Sequence, residues 1–124
     1  MITLIQCVRS RAELSIQEFR EHWQVYGQKA RVLAEASGAL GLHMNTTLAV
    51  DQNLDIRLNR GTSEAYDGVL KFSWPNAAGL TEMLEHPAAA TLLEDFRAYQ
   101  ERFVDLDRSS FFFASEEELL GGGP

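Results

Sequence analysis

Basic residues are scarce in this chain: 11 Lys and Arg stand against 18 Asp and Glu, for a formal charge of -7. Phosphate backbones and anionic bilayers are bound through clustered Lys and Arg, so neither nucleic acid nor a membrane is expected as a partner. Cysteine occurs once, at Cys7. No internal disulfide can form, which suits a reducing compartment and makes the cytoplasm the default location. No apolar run reaches membrane-spanning length, and no basic segment followed by an apolar run opens the chain. Histidines are few and scattered, at positions 22, 43 and 86, without two of them one helical turn apart beside a carboxylate. No metal site is therefore predicted. Phosphate-cradling glycine loops are also missing, since no helix follows Gly121, Gly122 and Gly123.

What is present is apolar material for one core. At 124 residues and 45% hydrophobic content, the chain is long enough for one domain and too short for two. Its best-defined element runs from Ser15 to Ser37. Ser15 and Glu18 have the spacing of a capping box, and Leu14 and Phe19 that of a hydrophobic staple across the same helix start. Ile16, Phe19, Trp23, Tyr26, Ala30, Leu33 and Ala34 then recur at helical spacing, which predicts one buried stripe. Gly38 supplies the stop. His22 and Tyr26, four residues apart, lie one above the other at the border of that stripe.

Around this helix the chain alternates. Residues 2–8 read as a first strand, and residues 40–50 as a second with Leu40, Leu42 and Met44 on one face and His43, Asn45 and Thr47 on the other. Residues 51–64 carry charge, Asn and Gly without a clean period, which predicts a long surface loop. A third strand over 67–74 is closed by Pro75. Helical spacing returns from Ala77 to about Phe103, divided at Pro87, and residues 109–115 form a fourth strand. Domain boundaries follow: one domain over 1–115, then an acidic, Gly-rich flexible tail over 116–124. The order strand, helix, strand, strand, helix, strand is that of an α+β, ferredoxin-like fold, a four-stranded antiparallel sheet with two helices on one face. Apolar residues fall on both faces of several strands, so a second sheet is the expected cover of the other face. A homodimer closing as an α+β barrel is predicted.

Candidate site residues are weighed against plainer roles. His22 with Tyr26 could serve as an acid and base pair, since imidazole titrates near neutral pH and a phenol can donate to a developing enolate; a solvated helix histidine beside a packed tyrosine is the alternative. His43 and Asn45 share a strand face that either lines a cavity or carries ordinary sheet hydrogen bonds. Trp23, Phe72, Trp74, Phe96 and the run Phe111 to Phe113 could wall a pocket for a flat apolar ligand, or could be core and interface. His86 before Pro87 reads as a helix-start residue, Asp67-Gly68 as a strand-entry turn, and Cys7 as a small buried hydrophobe. Asp105, Asp107, Arg102 and Arg108 read as a surface charge cluster.

The second half also carries a resemblance. Tyr66-Asp67-Gly68-Val69 opening a strand, Trp74 closing it, His86-Pro87, Leu93-Glu94-Asp95, Arg102 to Ser109 and a last strand ending in Glu116 and Glu117, together with Phe19, Trp23 and Gly27, resemble the EthD-type family of dimeric α+β barrel proteins. The resemblance spans nearly the whole chain, and it implies a ferredoxin-like homodimer. Relatives accompany degradation of ethers and other xenobiotics, or act as small dehydratases, decarboxylases and oxygenases on polyketide-like aromatics, generally without metal or organic cofactor. Relatives commonly place a histidine just after the helix tryptophan and another near the end of the second strand. Here those neighbourhoods read Trp23-Gln-Val-Tyr26-Gly27 and His43-Met-Asn45-Thr-Thr47, so neither histidine carries over.

The leading expectation is a small cofactor-independent enzyme, a lyase or oxidoreductase of EthD type, acting on an apolar aromatic or polyketide-like carbonyl compound between sheet and helices. His22 or His43 would be the base and Tyr26 the donor to the enolate oxygen, with Trp23, Asn45, Tyr66, Asp67, Phe72 and Trp74 around the ligand. The competing expectation is a non-catalytic homodimeric binding or accessory protein that holds a hydrophobic metabolite.

Overall fold

In the computed structural model, which describes residues 1–121, helix α1 covers Ile16–Ala36. Its start is fixed by the expected box: Glu18 N–H donates to Ser15 Oγ at 3.0 Å, and Ser15 N–H donates to the Glu18 carboxylate at 3.1 Å. Phe19, Trp23, Tyr26, Ala30, Leu33 and Ala34 are buried along one stripe. Ile16 is not part of it. At the first helical position it is 66% exposed, because α1 begins outside the packed layer and reaches the sheet only one turn later.

Strands β1 (Ile2–Val8), β2 (Gly41–Thr46), β3 (Gly68–Trp74) and β4 (Ser110–Ser115) form one antiparallel sheet in the order β2-β3-β1-β4. Register places Leu4 opposite Phe72 and Phe113, Gln6 opposite Leu70 and Phe111, and Leu42 beside Phe72. Side chains alternate across a strand, so these residues share the face on which the helices lie. Thr3, Ile5, Cys7, His43, Asn45, Val69, Lys71, Ser73 and Phe112 share the other. The second strand is shorter than expected. After Thr46 the chain turns to the β3 entry, where Thr47 N–H donates to Asp67 O and Thr47 Oγ1 to Tyr66 O.

The predicted loop over 51–64 is instead largely helix, α2 (Asp51–Arg60). None of its residues is buried, and Leu54, Ile56 and Leu58 are all more than half exposed. With no stripe to bury, the helix leaves no periodic signal. It is marked by its ends: Asp51 in the first turn, Arg57 and Arg60 in the last, and Gly61 at φ 66°, the left-handed conformation that glycine adopts freely.

The second helical region divides at Pro87 as expected, into α3 (Ala77–Glu85) and α4 (Pro87–Gln100). His86 caps α4, its Nδ1 accepting from Ala88 N–H at 3.3 Å. A short 3-10 turn, Leu106–Arg108, leads into β4. At the far end Glu116 N–H donates to Met1 O, and the Glu116 carboxylate lies 2.9 Å from Lys71 Nζ on the helix-free face. Of the expected tail, residues 122–124 lie outside the described residues.

Candidate functional site

The core that α1 and α4 build over the sheet is aromatic. Tyr26 stacks on Phe96 at 4.3 Å between ring centroids and meets Phe103 edge-on at 5.3 Å. Trp23 lies between Phe19 and Tyr26, at 5.6 and 5.7 Å. Its indole N–H donates to Thr46 Oγ1, and its ring leaves no room beside Gly68, where a Cβ would sit 2.5 Å from Cζ2. Trp23 is thus a fully buried packing residue at the β2–β3 end of the layer.

Towards β4 the same layer opens. A cleft of about 340 Å³ is bounded by Leu4 and Gln6 of β1, Phe72 and Trp74 of β3, Leu80 and Leu84 of α3, Leu93, Phe96, Arg97 and Gln100 of α4, Leu33 of α1 and the Phe111 to Phe113 run. The walls are apolar because β1, β3, α1 and α4 turn core side chains to the gap, while α3 and β4 add Leu80, Leu84 and phenylalanines that stay partly exposed. Phe111 and Phe113 stay 39% and 53% exposed because β4 is an edge strand with no helix fully above it. This is the general form of a small-molecule site: concave, apolar, with a few placed polar groups.

Those polar groups are Gln6, Gln100 and Arg97. Gln6 is 5% exposed and Gln100 7%. Both are held by the Tyr26 hydroxyl, which donates to Gln6 Oε1 at 2.5 Å and accepts from Gln100 Nε2 at 2.8 Å. A phenol has one proton to donate, so one amide must accept from it and the other must donate to it. Whichever glutamine takes which role, the pair retains one free NH₂ and one free carbonyl. Among the described residues neither remaining atom has a hydrogen-bond partner, and neither is sealed from solvent. Both residues border the cleft. Burial pushes the Tyr26 phenol well above its ordinary value, against the opposing pull of its two glutamine bonds. Tyr26 is therefore a neutral hydroxyl near pH 7.

The structure places the other expected residues apart from one another. Phe72 and Trp74 line the cleft, and Tyr26 lies behind its floor. His22 is half-buried between α1 and α4, its Nδ1 2.8 Å from Tyr99 Oη and its ring stacked on Phe103. His22 and Tyr26 are successive residues on one helix side but share no hydrogen bond. His43 and Asn45 are exposed on the helix-free sheet face, with His43 near Lys71 and Glu116. Tyr66 lies beneath the Arg9 guanidinium at 4.3 Å and hydrogen-bonds Ser110 Oγ at 3.2 Å. Asp67 Oδ2 accepts from Ser10 N–H at 2.7 Å, which fixes the β3 entry. Cys7 is half-buried on the helix-free face, with its thiol pushed up by burial. No group of three or more His, Cys, Asp or Glu placed to hold a metal ion occurs among the described residues, nor any helix long and apolar enough to cross a membrane.

Gln6, Gln100 and Arg97 were not foreseen from the sequence. Two of them left a signal there. Gln6 interrupts the apolar period Leu4, Val8 of a strand face, and Gln100 interrupts Leu93, Phe96, Phe103 on a helix stripe. A polar residue at a core-facing position implies a buried hydrogen-bond partner. Arg97 gives no such signal.

The model of the EthD domain family matches residues 11–107. No curated protein matches the sequence. Among solved structures, a Bacteroides fragilis protein described as dimeric, of unknown function and ferredoxin-like fold, superposes with a TM-score of 0.60 at 9% identity, over 93% of this chain and 95% of that one. An Arabidopsis thaliana protein gives 0.56 at 12% identity, covering 97% and 99%. A proposed antibiotic biosynthesis monooxygenase from Deinococcus radiodurans gives 0.52 at 13% identity, covering both chains fully, at 100%. At these identities the likeness concerns the fold.

Proposed function

The chain belongs to the EthD family, and from that premise we propose that it is a small enzyme-like protein that binds an apolar aromatic or polyketide-like carbonyl compound in the cleft. The observation that carries this reading is the amide pair held by Tyr26 on the floor of an aromatic cleft. A flat ligand body fits against Phe111 and Phe113, with the buried Phe72 and Trp74 at the back of the cleft, and its carbonyl oxygen accepts from the free glutamine NH₂. A fixed donor favours the oxygen as it gains negative charge, which is what enolisation next to a carbonyl requires. Tyr26 acts here as a positioning residue, holding both amides in one geometry.

Of the proton-transfer residues expected from the sequence, Tyr26 alone adjoins the cleft, behind its floor, while His22 bonds Tyr99 between the helices and His43 lies on the opposite sheet face; proton transfer in this reading therefore falls to Tyr26. A second reading, a binding or accessory role for the same cleft, is favoured by one observation: its polar residues are Gln6, Gln100 and Arg97, none of them a base at neutral pH. Homodimer formation belongs to both readings. The helix-free face exposes Phe112, with Ile5 and Val69 partly covered beside it, and the Bacteroides fragilis neighbour is a dimer.

One experiment separates the readings. An aryl 1,3-diketone is titrated into the protein in D₂O, with binding followed by Trp fluorescence and exchange of its central protons by NMR. Binding with accelerated exchange, lost by about a hundredfold in Tyr26→Phe and kept in His22→Ala and His43→Ala, is expected of the enzyme. Binding without accelerated exchange supports the accessory role. Absence of binding overturns both.

A further inference from the structure

The aromatic cleft carries one charged side chain, Arg97. Among the described residues its guanidinium makes no hydrogen bond and no ion pair. Glu94 and Glu101 stand three residues before it and four after it on the same helix side, the usual places for a partner, and neither pairs with it. Several other cations of this acidic chain are engaged, Lys29 with Asp95, Lys71 with Glu116, Arg31 with Glu35 and Arg11 with Glu13; Arg20, Arg57 and Arg60 are unpaired like Arg97 among the described residues, but none of them borders the cleft. Arg9 donates to the carbonyls of Glu64 and Ala65.

Position matters as much as charge. Arg97 precedes Gln100 by three residues, so the two lie side by side on α4, with Cβ atoms about 5–6 Å apart. A molecule bound in the cleft thus meets an uncharged amide pair at the floor and a guanidinium beside it. Guanidinium is weakly hydrated, packs its stem on apolar walls and binds a carboxylate through two parallel N–H bonds. The chain as a whole carries -7 and repels anions at long range, so an anion is held here only through this local contact.

Resting on the cleft reading above, we propose that the cleft selects an apolar acid, specifically a keto acid whose carboxylate pairs with Arg97 while its ketone oxygen reaches the amide pair of Gln6 and Gln100. The flat body lies on Phe111 and Phe113, with Phe72 and Trp74 at the back of the cleft. Binding weakens with added salt, as expected for a partly exposed ion pair.

The test compares 4-(2-naphthyl)-4-oxobutanoic acid with its methyl ester, which keeps the ring system and the ketone and loses the charge. Affinities are measured by calorimetry at pH 7.5 for the parent protein and for Arg97→Met, an exposed position where the methionine keeps an apolar stem. The parent is expected to bind the acid about tenfold or more tightly than the ester, in line with a charge-assisted bidentate pair. Arg97→Met is expected to bind both alike, with ester affinity within about twofold of the parent. Equal binding of acid and ester by the parent overturns the anion assignment and leaves the cleft reading standing. An acid preference that survives in Arg97→Met also overturns it, because the charge is then read elsewhere. Failure of both probes to bind overturns the cleft reading and this proposal with it.

Discussion

Tyr26→Phe removes one oxygen atom from the middle of the core and leaves the aromatic stack on Phe96 in place. The atom is the hub of the buried polar unit: without it, Gln6 Oε1 and Gln100 Nε2 both lose their partner. A buried polar group left unpaired costs about 1–3 kcal/mol. Both glutamines border the cleft, so water can reach part of the vacated space and the two costs fall near the lower bound, at about 2 kcal/mol in total. For a domain of this size that is a melting-point drop of about 6–10 °C. Urea unfolding followed by Trp fluorescence reads it directly. The pH dependence adds a signature. Because burial raises the folded-state pKa of the Tyr26 phenol, its contribution to stability is complete below the unfolded value of about 10 and is lost as pH rises beyond it. The parent should therefore lose stability more steeply than Tyr26→Phe between about pH 10 and 12. A variant within about 0.5 kcal/mol of the parent at pH 7, with an identical alkaline slope, would refute the claim that Tyr26 holds the amide pair.

Gly68→Ala would drive a Cβ to 2.5 Å from the buried Trp23 ring, and a cost of about 1–3 kcal/mol is expected in the same urea assay. Gly27→Ala meets the flexible end of Met44, its methyl at 2.6 Å and its Sδ at 3.1 Å, which can swing aside, and should cost clearly less. Ser15→Ala breaks the capping box of α1 and should destabilise by about 1 kcal/mol at pH 7. Hydrogen bonds from the Ser15 backbone and hydroxyl hold the Glu18 carboxyl below the usual range, so this cap contributes above the unfolded pKa and weakens as pH falls through the lower folded value. The gap between parent and Ser15→Ala should accordingly narrow in acid, as measured by thermal unfolding across that range. Val69→Asp places a charge on the helix-free face; sedimentation should show the parent at dimer mass and the variant at monomer mass, whereas a monomeric parent would contradict pairing through that face.

Sequence legibility followed burial. The capping box and the stripe from Phe19 to Ala34 were readable because local hydrogen bonding and periodic burial specify the same helix. Runs of β-forming residues mark the strands, with alternation in the second, and Pro87 marks the break between α3 and α4. Helix α2 was hidden because nothing packs on it, so its only marks were charged ends and Gly61. Phe72 and Trp74, which the sequence offers either as pocket walls or as core, are buried core residues that also border the cleft. Its polar floor was not inferred, although Gln6 and Gln100 each break an apolar period. Sequence spacing set His22 and Tyr26 side by side, but one turn of helix separates what each side chain touches: His22 meets Tyr99, and Tyr26 meets Gln6 and Gln100. Pairing across helices is a tertiary fact that spacing along one helix does not encode.

Whether the amide pair on the cleft floor receives the oxygen of an apolar carbonyl compound is read from the side-chain NH₂ resonances of Gln6 and Gln100 in a ¹⁵N-labelled sample. They are assigned through Gln6→Ala and Gln100→Ala and followed while an aryl ketone is added. A saturable downfield shift of the free amide is expected, tracking the indole resonance of Trp74, with the exposed amide of Asn45 on the opposite sheet face unmoved. Saturation at Trp74 with both glutamine amides unchanged, or a response confined to Asn45 and His43, would contradict this role of the amide pair.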